Sequence, residues 1–452
     1  MSDPRASLRR QVPDSGMSDI SSPLARATAF LESHSVYEKT GRIESPSTAN
    51  IERLVQLLGD PHLAYRTIHV TGTNGKGSTT QLISRLLTAH GLKVGTYTSP
   101  HLEHVNERMC INGEPIGDDQ LVENVLAIAD LEPLVGTRLS YFEVMTAVAF
   151  RWFADSAIDV GVIEVGLLGR WDATNVVRSD VAVLTNVSLD HTEFAGPTHA
   201  HIAREKVGIV KPDSVFLQGE TREDLESIFA AAACSRRVIR NQHFELSSNE
   251  LAVGGRLLSV RTTRARYDDV FVPLHGSHQG DNTAVAIAAV EEFFDQSLSR
   301  DVLEEAMAAV TMPGRFEVLG RQPLVVVDGA HNVGGAEKCA EVFFDDFQVD
   351  GRRVLVIGML KSRDAAELLG ALRADEFDLV VCCTAPTPRG TSATDVATAA
   401  RAIGCDTVHV ADGVSDALAY AYRQLRAEDA LLVAGSLYVV GAARPVLREL
   451  MP

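Results

Sequence analysis

Short apolar runs alternate with longer amphipathic stretches over most of this chain. TIHVT (67–71), VGTYT (94–98), VGVIEV (160–165) and VAVLTNV (181–187) read as buried strands. The segments between them, such as STTQLISRLLTAHG, repeat apolar residues at helical spacing. From Ser22 to about Thr311 this alternation predicts a mostly parallel sheet with helices on both faces. Within that stretch, residues 213–272 differ: VFLQG, LAVGGRLLSVRTT and DVFVPL suggest a small antiparallel β-extension. A second alternation follows MPGRFEVLG (312–320), with LVVVDG, RVLVIG, FDLVVCC, TVHVA and ALLVAG as strands separated by helical stretches. The fold class expected is therefore α/β. A larger α/β domain over 23–311 is followed by a smaller, Rossmann-like doubly wound domain over 312–452, with Pro313-Gly314 as a hinge marker. Residues 1–22 mix Ser, Pro, Gly, Arg and Asp without periodicity and are expected to form a flexible tail.

Composition narrows the function classes. A net charge of -18 argues against general nucleic-acid binding, which needs excess positive charge to displace counterions. No uncharged apolar run reaches the ~18 residues of a membrane span. The tail lacks the apolar core of a secretory signal, and Asp3, Asp14 and Asp19 do not suit a transit peptide. A cytoplasmic protein is expected. Cys110, Cys234, Cys339, Cys382, Cys383 and Cys405 form no CxxC pair, so buried free thiols are expected.

The first candidate chemistry lies at the end of TIHVT. That strand runs into Gly72-Thr73-Asn74-Gly75-Lys76-Gly77-Ser78-Thr79 and then into a periodic helix. Three glycines let backbone N–H groups curl inward, and the helix presents its positive end to the same point. Lys76 offers a mobile cation for the β/γ-phosphates, and Ser78 or Thr79 a hydroxyl near a metal. The standard GxxxxGK[ST] pattern is not met, because Val70 stands where its first Gly belongs and Gly77 follows the lysine. A plain Gly-rich turn is the alternative.

Further clusters fall at or just beyond strand ends, where α/β folds assemble their sites. They are Ser99-Pro100-His101, Glu164-Val165-Gly166 leading to Asp172-Ala173-Thr174-Asn175, Asp190-His191-Thr192-Glu193, and Arg204-Glu205-Lys206-Val207-Gly208. An acid ending an apolar strand, as Glu164 does, must be paired, hydrogen-bonded or metal-bound. Magnesium is satisfied by one or two carboxylates, a hydroxyl and substrate phosphates.

At these residues the chain resembles the folylpolyglutamate synthase/dihydrofolate synthase family, a branch of the Mur ligase superfamily. IHVTGTNGKGST, YTSPHL with ERMCING, EVGLLGRWDATN, LDHTEF, IAREKVGIVKP, SHQGDNTA, MPGRFEVL, DGAHN and GSLYVVG occur in the family's order. The resemblance implies an ATP-dependent amide ligase that binds ATP between a Mur-ligase-type ATPase domain and a C-terminal glutamate-ligase domain. It implies Ser99, Glu164 and His191 as magnesium ligands, with two ions expected and Ser78 contributing. Lys206 falls where the family carries a carbamylated lysine that helps hold the second metal. Asn282 and Arg315 match positions that contact ATP. Asp328 and His331 of DGAHN, and Ser436 of GSLY, match the face associated with nucleotide and glutamate, and Asp190 is assigned to substrate. Lys76, His331 and Lys206 are the candidate catalytic residues. The usual GLGGRLDATN reads with Leu168 and Trp171 here, which implies a reshaped acceptor pocket.

The resemblance implies ATP, L-glutamate and dihydropteroate or a reduced folate as small-molecule partners of a monomer that meets neither nucleic acid nor membrane. A carboxylate does not react with an amine at neutral pH until ATP converts it to an acyl phosphate, which the amine then attacks. Two rivals are a Mur-type ligase with another acceptor and a simple NTPase switch. The latter leaves the second domain and the Glu164/His191/Lys206 cluster unexplained.

Overall fold

The computed structural model describes residues 22–35 and 47–451, so nearly all of the segment expected to be a tail lies outside the described residues. Strands β1 (Arg66–Thr71), β2 (Val94–Tyr97), β3 (Met109–Ile111), β4 (Glu114–Pro115), β5 (Val160–Glu164), β6 (Val181–Leu184), β7 (Val215–Gln218) and β8 (Arg236–Ile239) form one sheet. Its order is β4-β3-β2-β5-β1-β6-β7-β8. The run from β2 to β8 is parallel, and β3 and β4 add an antiparallel edge.

Every residue of β5 and β6 is buried, as expected for parallel strands covered on both faces. Side chains still alternate between two cores. Val160 and Val162 join Ile68, Val70, Val181 and Val183 beneath helices Lys76–Ala89 and Ser277–Phe294, whereas Ile163 and Tyr97 face the opposite core with helix Tyr141–Asp155.

The expected antiparallel extension over 213–272 is only partly found. VFLQ is β7, hydrogen-bonded parallel to β6, and RRVI follows as β8 in the same sheet. Three of the four β7 residues are buried, and such a continuous apolar run suits a parallel strand better than a half-wet one. The antiparallel part is confined to β9 (Phe244–Ala252), β10 (Gly255–Thr262) and β11 (Arg266–Val272).

A second sheet is made of β12 (Glu317–Arg321), β13 (Leu324–Val327), β14 (Arg353–Ile357), β15 (Leu379–Cys382), β16 (Val408–Val410) and β17 (Ala430–Ala434), in the order β12-β13-β17-β14-β15-β16. Only the β12–β13 pair is antiparallel. Its two faces are also both covered: Val325 and Val327 enter one core and Val326 the other. The C-terminal ends of β1, β2, β5 and β6 and of β13, β14 and β17 carry the candidate residues, so each sheet presents its functional edge to the other lobe. Among the described residues no helix is long and apolar enough to cross a membrane.

Candidate active site

The glycine-rich loop leaves β1 and is held by the end of β6. Asn186 bonds Asn74 reciprocally, accepting from its N–H at 3.0 Å and donating to its carbonyl at 3.0 Å. Thr185 donates to the same carbonyl at 2.7 Å, and Thr73 N–H bonds Asn186 O at 3.0 Å. Gly75 has φ 78°, and a Cβ there would stand 2.4 Å from Asn282 Oδ1, so the absent side chain is what lets Asn282 reach the loop. Helix Lys76–Ala89 starts at this point, with the amine of Lys76 3.1 Å from Thr73 O. Lysine and asparagine therefore meet at a loop already closed around its own backbone. Thr185 and Asn186 were missed in the sequence, where they read as the polar end of an apolar strand.

Glu164 ends β5 buried, at 4% exposure. Its carboxylate faces the loop, 3.6 Å from where a Cβ of Gly77 would be, and accepts from Ser99 N–H at 2.9 Å. Among the described residues no Lys or Arg lies within ion-pair distance of it. Burial raises its pKa, and Lys76 draws it part of the way back. A buried carboxylate so thinly partnered beside a phosphate loop is suited to a hard cation. Among the described residues no three His, Cys, Asp or Glu side chains gather into a metal cage. Magnesium does not require one, because it keeps waters and takes phosphate oxygens. His191 is part-exposed with φ 50°, its ring nitrogens 3.8 Å from Asp190 and 3.9 Å from Glu193.

Lys206 ends helix His199–Lys206, buried at 3% exposure, and its amine donates to Gly72 O at 2.6 Å. Burial, with Lys76 nearby, holds its pKa well below that of an ordinary lysine. Next to it, the turn after β5 is fixed by Asp172, which accepts from Leu167 N–H at 2.7 Å and from Thr174 N–H at 3.0 Å. Leu168, where the family usually has glycine, occupies the left-handed region at φ 59°. Trp171 is 50% exposed.

The facing lobe supplies DGAHN at the end of β13. Asp328 accepts from Phe316 N–H and Ala330 N–H, both at 2.7 Å; burial raises its pKa and Arg315 opposes the rise. The Nδ1 of His331 lies 2.9 Å from Gly329 O. A carbonyl only accepts, so Nδ1 carries the proton and the Nε2 lone pair is left free. Burial, reinforced by Arg363, lowers the His331 pKa to about 4. Ser436 is buried and caps helix Leu437–Leu450 by accepting from Tyr438 N–H at 3.2 Å.

Two residues stitch the lobes together over the site. Asn332 donates to Asn74 Oδ1 at 3.0 Å and to Asp190 Oδ2 at 3.1 Å. Arg363 donates to Asp190 Oδ1 at 2.5 Å. Burial alone would raise the Asp190 carboxyl, but His191, Arg363 and His331 outweigh it and hold it well below the usual carboxylate range. Asp190, assigned to substrate from the sequence, here spends its oxygens on Asn332 and Arg363. The six cysteines are free, and all but Cys234 are buried.

Residues 70–290 match the Mur ligase middle domain and residues 314–437 the Mur ligase glutamate ligase domain. The chain is similar to the dihydrofolate synthase/folylpolyglutamate synthase of Mycobacterium tuberculosis, at 37% identity over 441 residues, covering 88% of this chain and 89% of that relative. The structure of the M. tuberculosis folylpolyglutamate synthase complexed with ADP and AMPPCP is similar at TM-score 0.85 and 35% identity, over 94% of this chain and 98% of that one. E. coli FolC in complex with DHPP and ADP gives TM-score 0.84 at 28% identity, over 95% and 98% of the two chains.

Proposed function

The chain belongs to the dihydrofolate synthase/folylpolyglutamate synthase family of Mur ligases, and from this we propose an ATP-dependent ligase that joins L-glutamate to dihydropteroate, a reduced folate or both. One observation carries the proposal to this chain: the phosphate loop and the DGAHN turn, from different lobes, meet through Asn74, Asn332 and Asp190. A cleft of that kind brings a nucleotide, an acceptor and an amino acid together and keeps water from a reactive intermediate.

In the first step an acceptor carboxylate oxygen attacks the γ-phosphorus of ATP, the bond to the β–γ bridging oxygen breaks, and ADP leaves. Lys76 and the N-terminal end of helix Lys76–Ala89 stabilise the charge that develops on the transferred group. Asn282, Arg315 and Asp328 hold the nucleotide. In the second step the glutamate amine attacks the carbonyl carbon of the acyl phosphate and the carbon–oxygen bond to phosphate breaks. His331 is neutral at pH 7, and its Nε2 lone pair can accept a hydrogen bond from the amine and orient it for attack. With a pKa of about 4 it is a weak base, so the proton that the amine sheds leaves on the departing phosphate.

Ser78, Ser99, Glu164, His191 and a carbamylated Lys206 are the residues that would hold magnesium, which when bound supplies charge neutralisation on the phosphates. The lowered pKa of Lys206 favours carbamylation, because a neutral amine is the nucleophile that reacts with carbon dioxide. The 23–311 lobe then provides phosphoryl transfer and the 312–452 lobe provides amine positioning, in a monomer.

The test uses purified protein with ATP and glutamate, offered dihydropteroate and tetrahydrofolate in parallel. ADP should form at an appreciable rate only with an acceptor, and mass spectrometry should show glutamyl units added to it. Rapid ATP hydrolysis without acceptor, unchanged by glutamate, contradicts the assignment.

A further inference from the structure

Residues 99–108 leave β2 and cross to the other lobe as a stiff strap. Its first residue, Ser99, bonds Glu164 in the site. Glu107 ties its middle, accepting from Leu102 N–H at 2.8 Å and from His104 N–H at 2.9 Å. Arg108 donates to His101 Nδ1 at 2.9 Å. Between these ties, Leu102 packs against the C-terminal lobe's own apolar core. Its carbonyl lies so close to helix Leu437–Leu450 that a Cβ at Gly441 would stand 2.0 Å from it.

Glu103 follows. Its carboxylate is paired with Arg444 and with Arg448, the latter through contacts of 3.0 and 3.1 Å. Arg444 also grips Glu317 through two bonds of 2.9 Å, and Glu317 accepts from Gly314 N–H at 2.7 Å in the connector between the lobes. The Glu103, Arg444 and Glu317 side chains are 15%, 11% and 20% exposed, so these pairs are poorly screened and breaking one leaves a charge uncompensated. Arg444 thus links the strap, the connector and the last helix.

We propose that Glu103, Arg444 and Arg448 are positioning residues that fix the strap to the C-terminal lobe, so that lobe placement sets where Ser99 and Glu164 stand against the phosphate loop. This inference rests on the ligase assignment above. None of the three belongs to the phosphate loop, so they should govern turnover more than nucleotide affinity.

Glu103→Ala is the variant to measure, with steady-state kinetics and amide hydrogen exchange followed on the same protein. The expected result is kcat lowered about tenfold or more with KM for ATP within about threefold. Exchange over residues 99–108 should become about tenfold faster, with the loop 72–79 unchanged. If Glu103→Ala does not fold, Arg448→Ala removes one arm of the clamp at a half-exposed position. It should show a smaller loss, about threefold, in the same direction. Unchanged kcat, a loss of kcat with residues 99–108 still protected, or a change confined to ATP affinity would each overturn the proposal. Wild-type protein that makes no amide product would instead refute the ligase assignment, while the exchange measurement would still report on the strap.

Discussion

Lys206 and Leu168 are the residues at which local chemistry departs furthest from the ordinary. A lysine buried at 3% exposure beside another lysine is costly as an ammonium, and as a neutral amine it is set up for carbamylation. Lys206→Ala should lower turnover by about 100-fold or more, near 3 kcal/mol at ~1.4 kcal/mol per tenfold. Acetate should restore part of the loss, and a carbamate carbon signal should appear in wild-type protein supplied with 13C-bicarbonate. Wild-type rates in the variant would remove Lys206 from the site. Leu168 stands at φ 59°, which costs a non-glycine residue roughly 1–2 kcal/mol. Leu168→Gly and Leu168→Ala both remove the side chain beyond Cβ, and only glycine relieves the backbone. The glycine variant should therefore be the more stable of the two by about 1 kcal/mol in urea unfolding, reversing the usual order. Lys76 was legible from the glycines on either side of it and Glu164 as an acid ending an apolar strand, whereas Lys206, at the end of a polar helix, was reached only through the family resemblance. The strain at Leu168 was not legible, since φ is set by the turn that Asp172 holds.

Among the elements, β1 carries the loop on its end and a histidine in its middle. Thr174 spends its hydroxyl proton on Asp172, so toward His69 it accepts, and His69 Nε2–H donates across 2.8 Å. Burial lowers the His69 pKa to about 3. Its ordinary value, 6.5, applies once the chain unfolds. Between those two values the unfolded chain binds the proton and the folded one does not, so stability falls as pH falls below about 6.5. From pH 7 to 4.5 this one site should cost about 2–3 kcal/mol, at ~1.4 kcal/mol per pH unit below its unfolded pKa. His101, His278 and His331, each lowered to about 4, act in the same direction. A His69→Gln variant, whose amide can still donate to Thr174, should show a flatter loss of urea midpoint over that range. An identical slope in both proteins would show that His69 does not remain neutral. Strand positions were legible because buried parallel strands are short, apolar and regularly spaced. The placement of β7 and β8 was not, because an apolar run of four residues does not say which neighbour it pairs with.

At the scale of the whole molecule, function depends on pairs that sequence separates widely. Asn74 meets Asn332, Asp190 meets Arg363, and Glu103 meets Arg444, in each case across the two lobes. Nothing in local periodicity points to such pairings; the family motifs brought DGAHN to the site, and only the fold showed Asp190 bridging rather than free. The two-lobe arrangement makes sense for chemistry in which a carboxylate must be activated and then delivered to an amine without meeting water. An acyl phosphate leaves an atomic record of that route. Acceptor labelled with 18O in its carboxylate should pass one labelled oxygen to inorganic phosphate for each amide formed, since that oxygen attacks phosphorus and departs with it. Phosphate released during amide synthesis with no label from the acceptor would contradict activation through an acyl phosphate.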